Sequence, residues 1–128
     1  MRESKRSFAG ILFCILCAGA AARAQDPNIV GFTLLKRYTT NLNGAGVRVG
    51  QVEAVNTVNS NDWEANPATI PQPTNLFTWY SNGLSSVMFT NRLGSESGHA
   101  DYVGILFYGS DGIATNVSHV DNFEANTY

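Results

Sequence analysis

Two residues of this sequence have the right chemistry for proton transfer to or from a substrate. Glu53 ends the segment VRVGQVEA (residues 47–54), and His99 lies in SGHADYVG (residues 97–104). A carboxylate that accepts a hydrogen bond from an imidazole fixes its tautomer and stabilises the imidazolium, so histidine can act as a general base. Each residue also has an ordinary explanation, because glutamates at strand ends are mostly solvated and a lone histidine can simply begin a helix.

The remaining polar residues are weaker candidates. His119 lies in VSHVDNF (residues 117–123) and is interpreted as structural. The glycines of Gly44-Ala45-Gly46 precede a predicted strand instead of following it, so they do not form a dinucleotide-binding fingerprint. We expect no cofactor. We also expect no metal, because four acids lack a recognisable ligand spacing: Asp62, Glu64, Asp111 and Asp121.

The first 24 residues predict a secretory signal peptide. A basic start precedes the apolar run from Phe8 to Ala22, and the small-x-small site Ala22-Arg23-Ala24 follows it. The mature chain would be residues 25–128, in a secreted or periplasmic location. Both cysteines, Cys14 and Cys17, lie in the apolar run, so the mature chain would contain none.

The charge of the mature chain limits the classes of partner that it can bind. Residues 25–128 contain four Lys or Arg and nine Asp or Glu, which gives a net charge of −5. So few basic residues argue against binding to nucleic acid or to an anionic membrane.

The elements that must position Glu53 and His99 follow from hydrophobic periodicity and turn residues. Asp26-Pro27 predicts the start of a helix that runs to Tyr38. Residues 55–74 predict a long loop because they are rich in Asn, Pro and Ser. The pattern further predicts strands over 47–54, 76–80, 86–90 and 113–123, and a helix over 99–108 that ends at the glycines of 109–112. This order predicts an α/β layer with a parallel sheet.

Two segments resemble the subtilisin-like serine protease family. Residues 44–54, GAGVRVGQVEA, resemble the strand that runs into the catalytic acid, although the family usually has aspartate where this chain has Glu53. Residues 98–104, GHADYVG, followed by 112–117, GIATNV, resemble the catalytic-histidine helix and the stretch after it. Here Ala100 and Asp101 replace Gly-Thr after the histidine, and Thr115 replaces a proline.

The resemblance implies a partial three-layer subtilisin-like fold with a small parallel sheet, and catalytic roles for Glu53 and His99. The family's nucleophile motif, Gly-Thr-Ser-x-Ala-x-Pro, does not occur in the sequence. We therefore expect residues 25–128 to be the N-terminal portion of a secreted endopeptidase domain, inactive by itself. It would act on peptide or protein substrates only if completed by a missing C-terminal part.

An alternative is a non-enzymatic secreted module that binds through the loop of residues 55–74. Whether the chain is itself an enzyme stays open between these two interpretations. An incomplete sheet is expected to leave Val117, Val120 and Phe123 uncovered, which would make the mature chain molten or aggregated.

Overall fold

A four-stranded sheet organises the structure, a computed structural model that describes residues 31–55, 61–90 and 93–128. Its strands in spatial order are β1 (Arg48–Glu53), β6 (His119–Glu124), β3 (Phe77–Ser81) and β4 (Leu84–Ser86). The first three are mutually parallel, and β4 pairs antiparallel with β3. A separate parallel pair consists of β2 (Asp62–Glu64) and β5 (Ser95–Glu96). The predicted α/β class is confirmed, with a small sheet that is mostly parallel.

The antiparallel edge strand arises from a tight turn. Asn82 and Gly83 connect Ser81 to Leu84, and both turn residues have positive φ, at 50° and 74°. Two such residues are typical of the type I′ turn that closes a two-residue hairpin. The strand predicted over residues 86–90 is therefore wrong, because the hairpin places the edge strand two residues earlier.

Two helices accompany the sheet. Helix α1 (Phe32–Tyr38) buries none of its side chains, and the start predicted at Asp26-Pro27 lies outside the described residues, as do the predicted signal peptide and both cysteines. Helix α2 (Gly98–Phe107) buries Ala100, Asp101 and Gly104. No helix in the described ranges is long and apolar enough to cross a bilayer.

The core lies between one face of the sheet, helix α2 and the segment that follows β2. Its buried hydrophobic residues are Val49, Trp63, Ala65, Ile70, Phe77, Trp79, Ala100, Tyr108, Val117 and Val120. The Asn122 side chain accepts a hydrogen bond from Ala65 N at 2.7 Å, and Trp79 Nε1 donates to Ala65 O at 3.2 Å. Both backbone groups of Ala65 are therefore satisfied, and the segment is held on the sheet.

Two expectations need correction: one about the predicted loop and one about the exposure of two valines. The predicted loop of residues 55–74 contains the short strand β2 and supplies Trp63 and Ile70 to the core. Val117 and Val120 are expected to be uncovered, yet both are buried in the core: Val117 precedes the strand and bridges Ala45, and Val120 is a core-facing position of β6.

Candidate functional site

Glu53 ends β1 with a buried carboxylate at the carboxyl edge of the parallel strands. Alternate residues of a strand point to one face, so Glu53 shares the core-facing side of β1 with Val49 and Gln51. Its side chain is only 6% exposed. Open α/β sheets place their ligand sites at this edge, so the location suits a functional carboxylate.

His99 lies in the first turn of α2, and the residue that caps this helix is anchored. The Ser97 hydroxyl accepts a hydrogen bond from Ala100 N at 3.4 Å, and Ser97 N donates to Glu64 O at 2.9 Å. The side chain of His99 is 77% exposed. Its backbone is therefore held in place while most of its ring lies in solvent.

The structure brings the two predicted site residues together. Nε2 of His99 lies 3.7 Å from Oε2 of Glu53. This distance suits an ion pair when the imidazole is protonated, and it is longer than a hydrogen bond. In a serine-peptidase triad the acid binds Nδ1 and leaves Nε2 for the hydroxyl. The ring of His99 must therefore turn before the pair can work in that way, and its catalytic role stays a prediction.

A buried glutamine that the sequence pattern does not single out contacts the acid and the backbone of the residue after the histidine. Gln51 Nε2 donates to Glu53 Oε1 at 2.7 Å and to Ala100 O at 2.9 Å. The hydroxyl of Tyr108 donates to the side-chain oxygen of Gln51. Burial raises the pKa of Tyr108, and the nearby charges of Glu53 and Asp101 raise it further, so this hydroxyl keeps its proton.

A second carboxylate lies beside Glu53 but is used elsewhere. The sheet register pairs Glu53 with Glu124. The carboxylate of Glu124 accepts hydrogen bonds from Asn126 N at 2.9 Å, Asn126 Nδ2 at 2.8 Å and Thr127 Oγ1 at 2.8 Å. The Asn126 backbone bond in particular holds the pKa of Glu124 below its usual value. Glu124 therefore closes its own turn, which leaves Glu53 as the carboxylate facing α2.

The described residues place no hydroxyl or thiol against the ring of His99, whose recorded partner is Glu53. Ser97, the nearest serine in sequence, uses its hydroxyl to cap α2. A general base at His99 would therefore need a proton donor from outside the described residues.

The second histidine belongs to a separate cluster. The register pairs His119 with Arg48, which places both on the opposite sheet face from Glu53. Nε2 of His119 lies 3.0 Å from Thr78 Oγ1 and 3.5 Å from Asp121 Oδ1. Burial favours a higher pKa for Asp121, but the bidentate contact with Arg48 outweighs it and lowers that pKa. The hydroxyl of Thr78 and the carboxylate of Asp121 approach the same ring nitrogen, so they do not use the two nitrogens as a catalytic triad does. This arrangement supports a structural interpretation of His119.

Neither metal ligands nor known relatives identify the site further. Within the described ranges, no three His, Cys, Asp or Glu side chains group as metal ligands. Comparisons with protein-family models, with curated proteins and with solved structures each found no match to this chain.

Proposed function

We propose that residues 25–128 form the N-terminal portion of a subtilisin-like serine endopeptidase domain, in which Glu53 is the acid and His99 the base. The observation that carries this proposal is the 3.7 Å approach of a buried carboxylate, at the end of a parallel strand, to an exposed histidine in the first turn of a helix. Their order along the chain, acid before histidine, is that of the resemblance.

In this proposal the two side chains prepare a hydroxyl for attack on a peptide carbonyl. Glu53 would orient the imidazole and stabilise its protonated form, and His99 would take the proton of a serine. That serine, with further strands and helices of a three-layer fold, would belong to chain outside the printed sequence. Without a nucleophile only binding contributions to the rate remain, so we expect negligible peptide hydrolysis by residues 25–128.

The alternative of a binding module acting through residues 55–74 has less support. Trp63, Glu64, Ala65 and Ile70 are buried, so this part of the segment offers its side chains to the core and not to a partner.

We further propose that the protein is secreted or periplasmic. N-terminal sequencing of the exported protein should begin at Gln25.

The proposed pairing is tested through the tautomer of His99. The sequence has only two histidines, His99 and His119, so ¹⁵N-histidine labelling gives two resolvable ring systems. The partner of one ring nitrogen sets where the proton resides on a neutral imidazole. At a pH where both rings are neutral, we expect Glu53→Gln to change the tautomer ratio of His99 but not that of His119. Asp121→Asn is the matched control and should change the tautomer ratio of His119 instead.

Two results would count against the proposal. An unchanged His99 tautomer ratio in folded Glu53→Gln would show that the acid does not set the ring. Fluorogenic peptide turnover by residues 25–128 that His99→Ala abolishes would show that the nucleophile is already present. In-frame coding sequence for Gly-Thr-Ser-x-Ala after Tyr128 would support it.

A further inference from the structure

We propose that Gln51 is a positioning residue that fixes the carboxylate of Glu53 and holds helix α2 at the distance His99 requires. This inference rests on the proposed pairing of Glu53 with His99 and assigns it a supporting side chain. Gln51 itself contacts neither a substrate nor the imidazole ring.

One nitrogen of Gln51 connects the acid to the helix. Its two N–H groups point to different acceptors, Glu53 Oε1 at 2.7 Å and Ala100 O at 2.9 Å. Ala100 directly follows His99, so the second bond reaches the turn that carries the base. Because Oε1 of Glu53 is occupied by this bond, Oε2 is the oxygen left to face His99.

Tyr108 determines which way the amide of Gln51 points. Its hydroxyl donates to the Gln51 oxygen, and it projects from the C-terminal end of the same helix that carries His99. A flipped amide would place the Gln51 oxygen against two other acceptors, Glu53 Oε1 and Ala100 O, and would leave the oxygens of Gln51 and Glu53 without this donor. Such unsatisfied buried groups are costly, so one orientation is strongly favoured.

The length of the acid explains the need for this support. Glutamate has one methylene and one torsion more than aspartate, so its carboxylate can occupy more positions. Residues 51 and 53 are two apart on one strand, and both side chains therefore lie on the core face. The Gln51 amide can reach Glu53 only because of that spacing, and it removes the freedom that the longer acid introduces.

The test compares two glutamine substitutions of the same kind. Gln51→Met keeps an unbranched side chain of similar size but removes both N–H donors. Gln72→Met is the matched control, because Gln72 also donates to two carbonyls, Tyr108 O and Thr115 O, and does not contact Glu53. In the ¹⁵N-histidine experiment, we expect Gln51→Met to move the His99 tautomer ratio most of the way to its value in Glu53→Gln. Gln72→Met should leave that ratio at the wild-type value.

Tyr108→Phe provides a second variant should Gln51→Met fail to give a dispersed amide spectrum. It removes the hydroxyl that orients the amide of Gln51. It should change the His99 tautomer ratio in the same direction as Gln51→Met, by a smaller amount. The inference is overturned if a folded Gln51→Met or Tyr108→Phe variant keeps the wild-type tautomer ratio of His99. It is also overturned if Gln72→Met changes that ratio as much as Gln51→Met does. If Glu53→Gln itself leaves His99 unchanged, the proposed pairing fails and the role of Gln51 fails with it.

Discussion

The carboxyl groups of Asp101 and Glu96 influence each other's pKa at the start of α2. Asp101 is 3% exposed, and its Oδ1 accepts a hydrogen bond from Asn66 N at 2.6 Å. Burial raises the pKa of Asp101 to about 7; Glu96 adds to this rise, and the Asn66 N–H opposes it. The bond from Asp101, together with bonds from Asn66 and Thr69, holds the pKa of Glu96 below its usual value. Asp101 is therefore the protonated donor of the pair below neutral pH.

This arrangement makes stability fall as the pH rises. An unfolded aspartate loses its proton near pH 4, whereas folded Asp101 keeps it to about pH 7, so the folded state binds more protons between these values. Asp101→Asn can still donate to Glu96 and accept from Asn66, but it cannot ionise. We expect it to gain stability over wild type from pH 4 to 7, by up to about 4 kcal/mol at pH 8, because three pKa units correspond to that free energy. Urea denaturation across this range measures it.

The control for this prediction is Asp111→Asn, which removes an exposed acid outside the cluster. It should leave the difference between low and high pH close to that of wild type. If Asp101→Asn shows the same pH dependence as wild type, Asp101 does not carry the shared proton.

At the level of single residues, the sequence predicted the two ends of the candidate site but not the group between them. Glu53 and His99 stand out because their residue types and positions suggest acid–base chemistry. Gln51 does not, because an alternating pattern read from Val47 and Val49 gives no reason to expect a polar side chain on the core face. Its hydrogen bonds from Tyr108 and to Glu53 and Ala100 compensate its burial, and two of these three contacts join residues far apart in sequence.

Gly94, the residue before β5, lies so close to the indole of Trp63 in β2 that there is no room for a side chain. A Cβ built on Gly94 would lie 2.2 Å from Nε1 and 2.6 Å from Cε2 of Trp63. Trp63 is fully buried, so its indole has little room to move. Gly94 N also donates to Glu64 Oε1 at 2.8 Å, which partly satisfies a carboxylate whose pKa is raised by burial.

Gly94→Ala should therefore destabilise the protein, by about 1–3 kcal/mol or more, because overpacking a rigid core site forces neighbours out of place. Gly98→Ala is the matched control, since a Cβ there meets nothing within 4 Å. Helix propensity even favours alanine at that position. Chemical denaturation should give a lower midpoint for Gly94→Ala and an equal or higher one for Gly98→Ala. Equal midpoints for both variants would contradict the close approach.

Among the elements, those with strong periodicity were predicted well and the short ones were not. The strand ending at Glu53 and the helix beginning near His99 differ from prediction by one residue at each end. Strands β2 and β5 have three and two residues, too few to show any periodicity, and the middle residue of β2, Trp63, is buried in the core. Asn82-Gly83 is a typical hairpin signal, and it falls between the strands predicted over residues 76–80 and 86–90.

Across the whole molecule, the two faces of the sheet differ in how they are covered. Helix α2 and residues 61–72 cover the face that carries Val49, Phe77 and Val120, which are all buried. On the other face, Tyr80 stacks on Phe123 with ring centroids 4.7 Å apart, and Val52 is 42% exposed. Parallel sheets in α/β proteins are usually covered on both faces. The expected tendency to aggregate therefore rests on this face, and not on Val117 and Val120.

Strand β1 lies at one edge of the four-stranded sheet. It pairs with β6 on one side, and the part of the chain that the structure describes places no strand on its other side. A lysine on such an edge opposes pairing with a second sheet. We expect Val52→Lys to reduce concentration-dependent association of residues 25–128 in sedimentation velocity. Ile113→Lys, which removes a similarly exposed apolar side chain in a loop, should reduce it less. Equal reductions would mean that association follows exposed apolar area in general, and the sheet edge would have no special part in it.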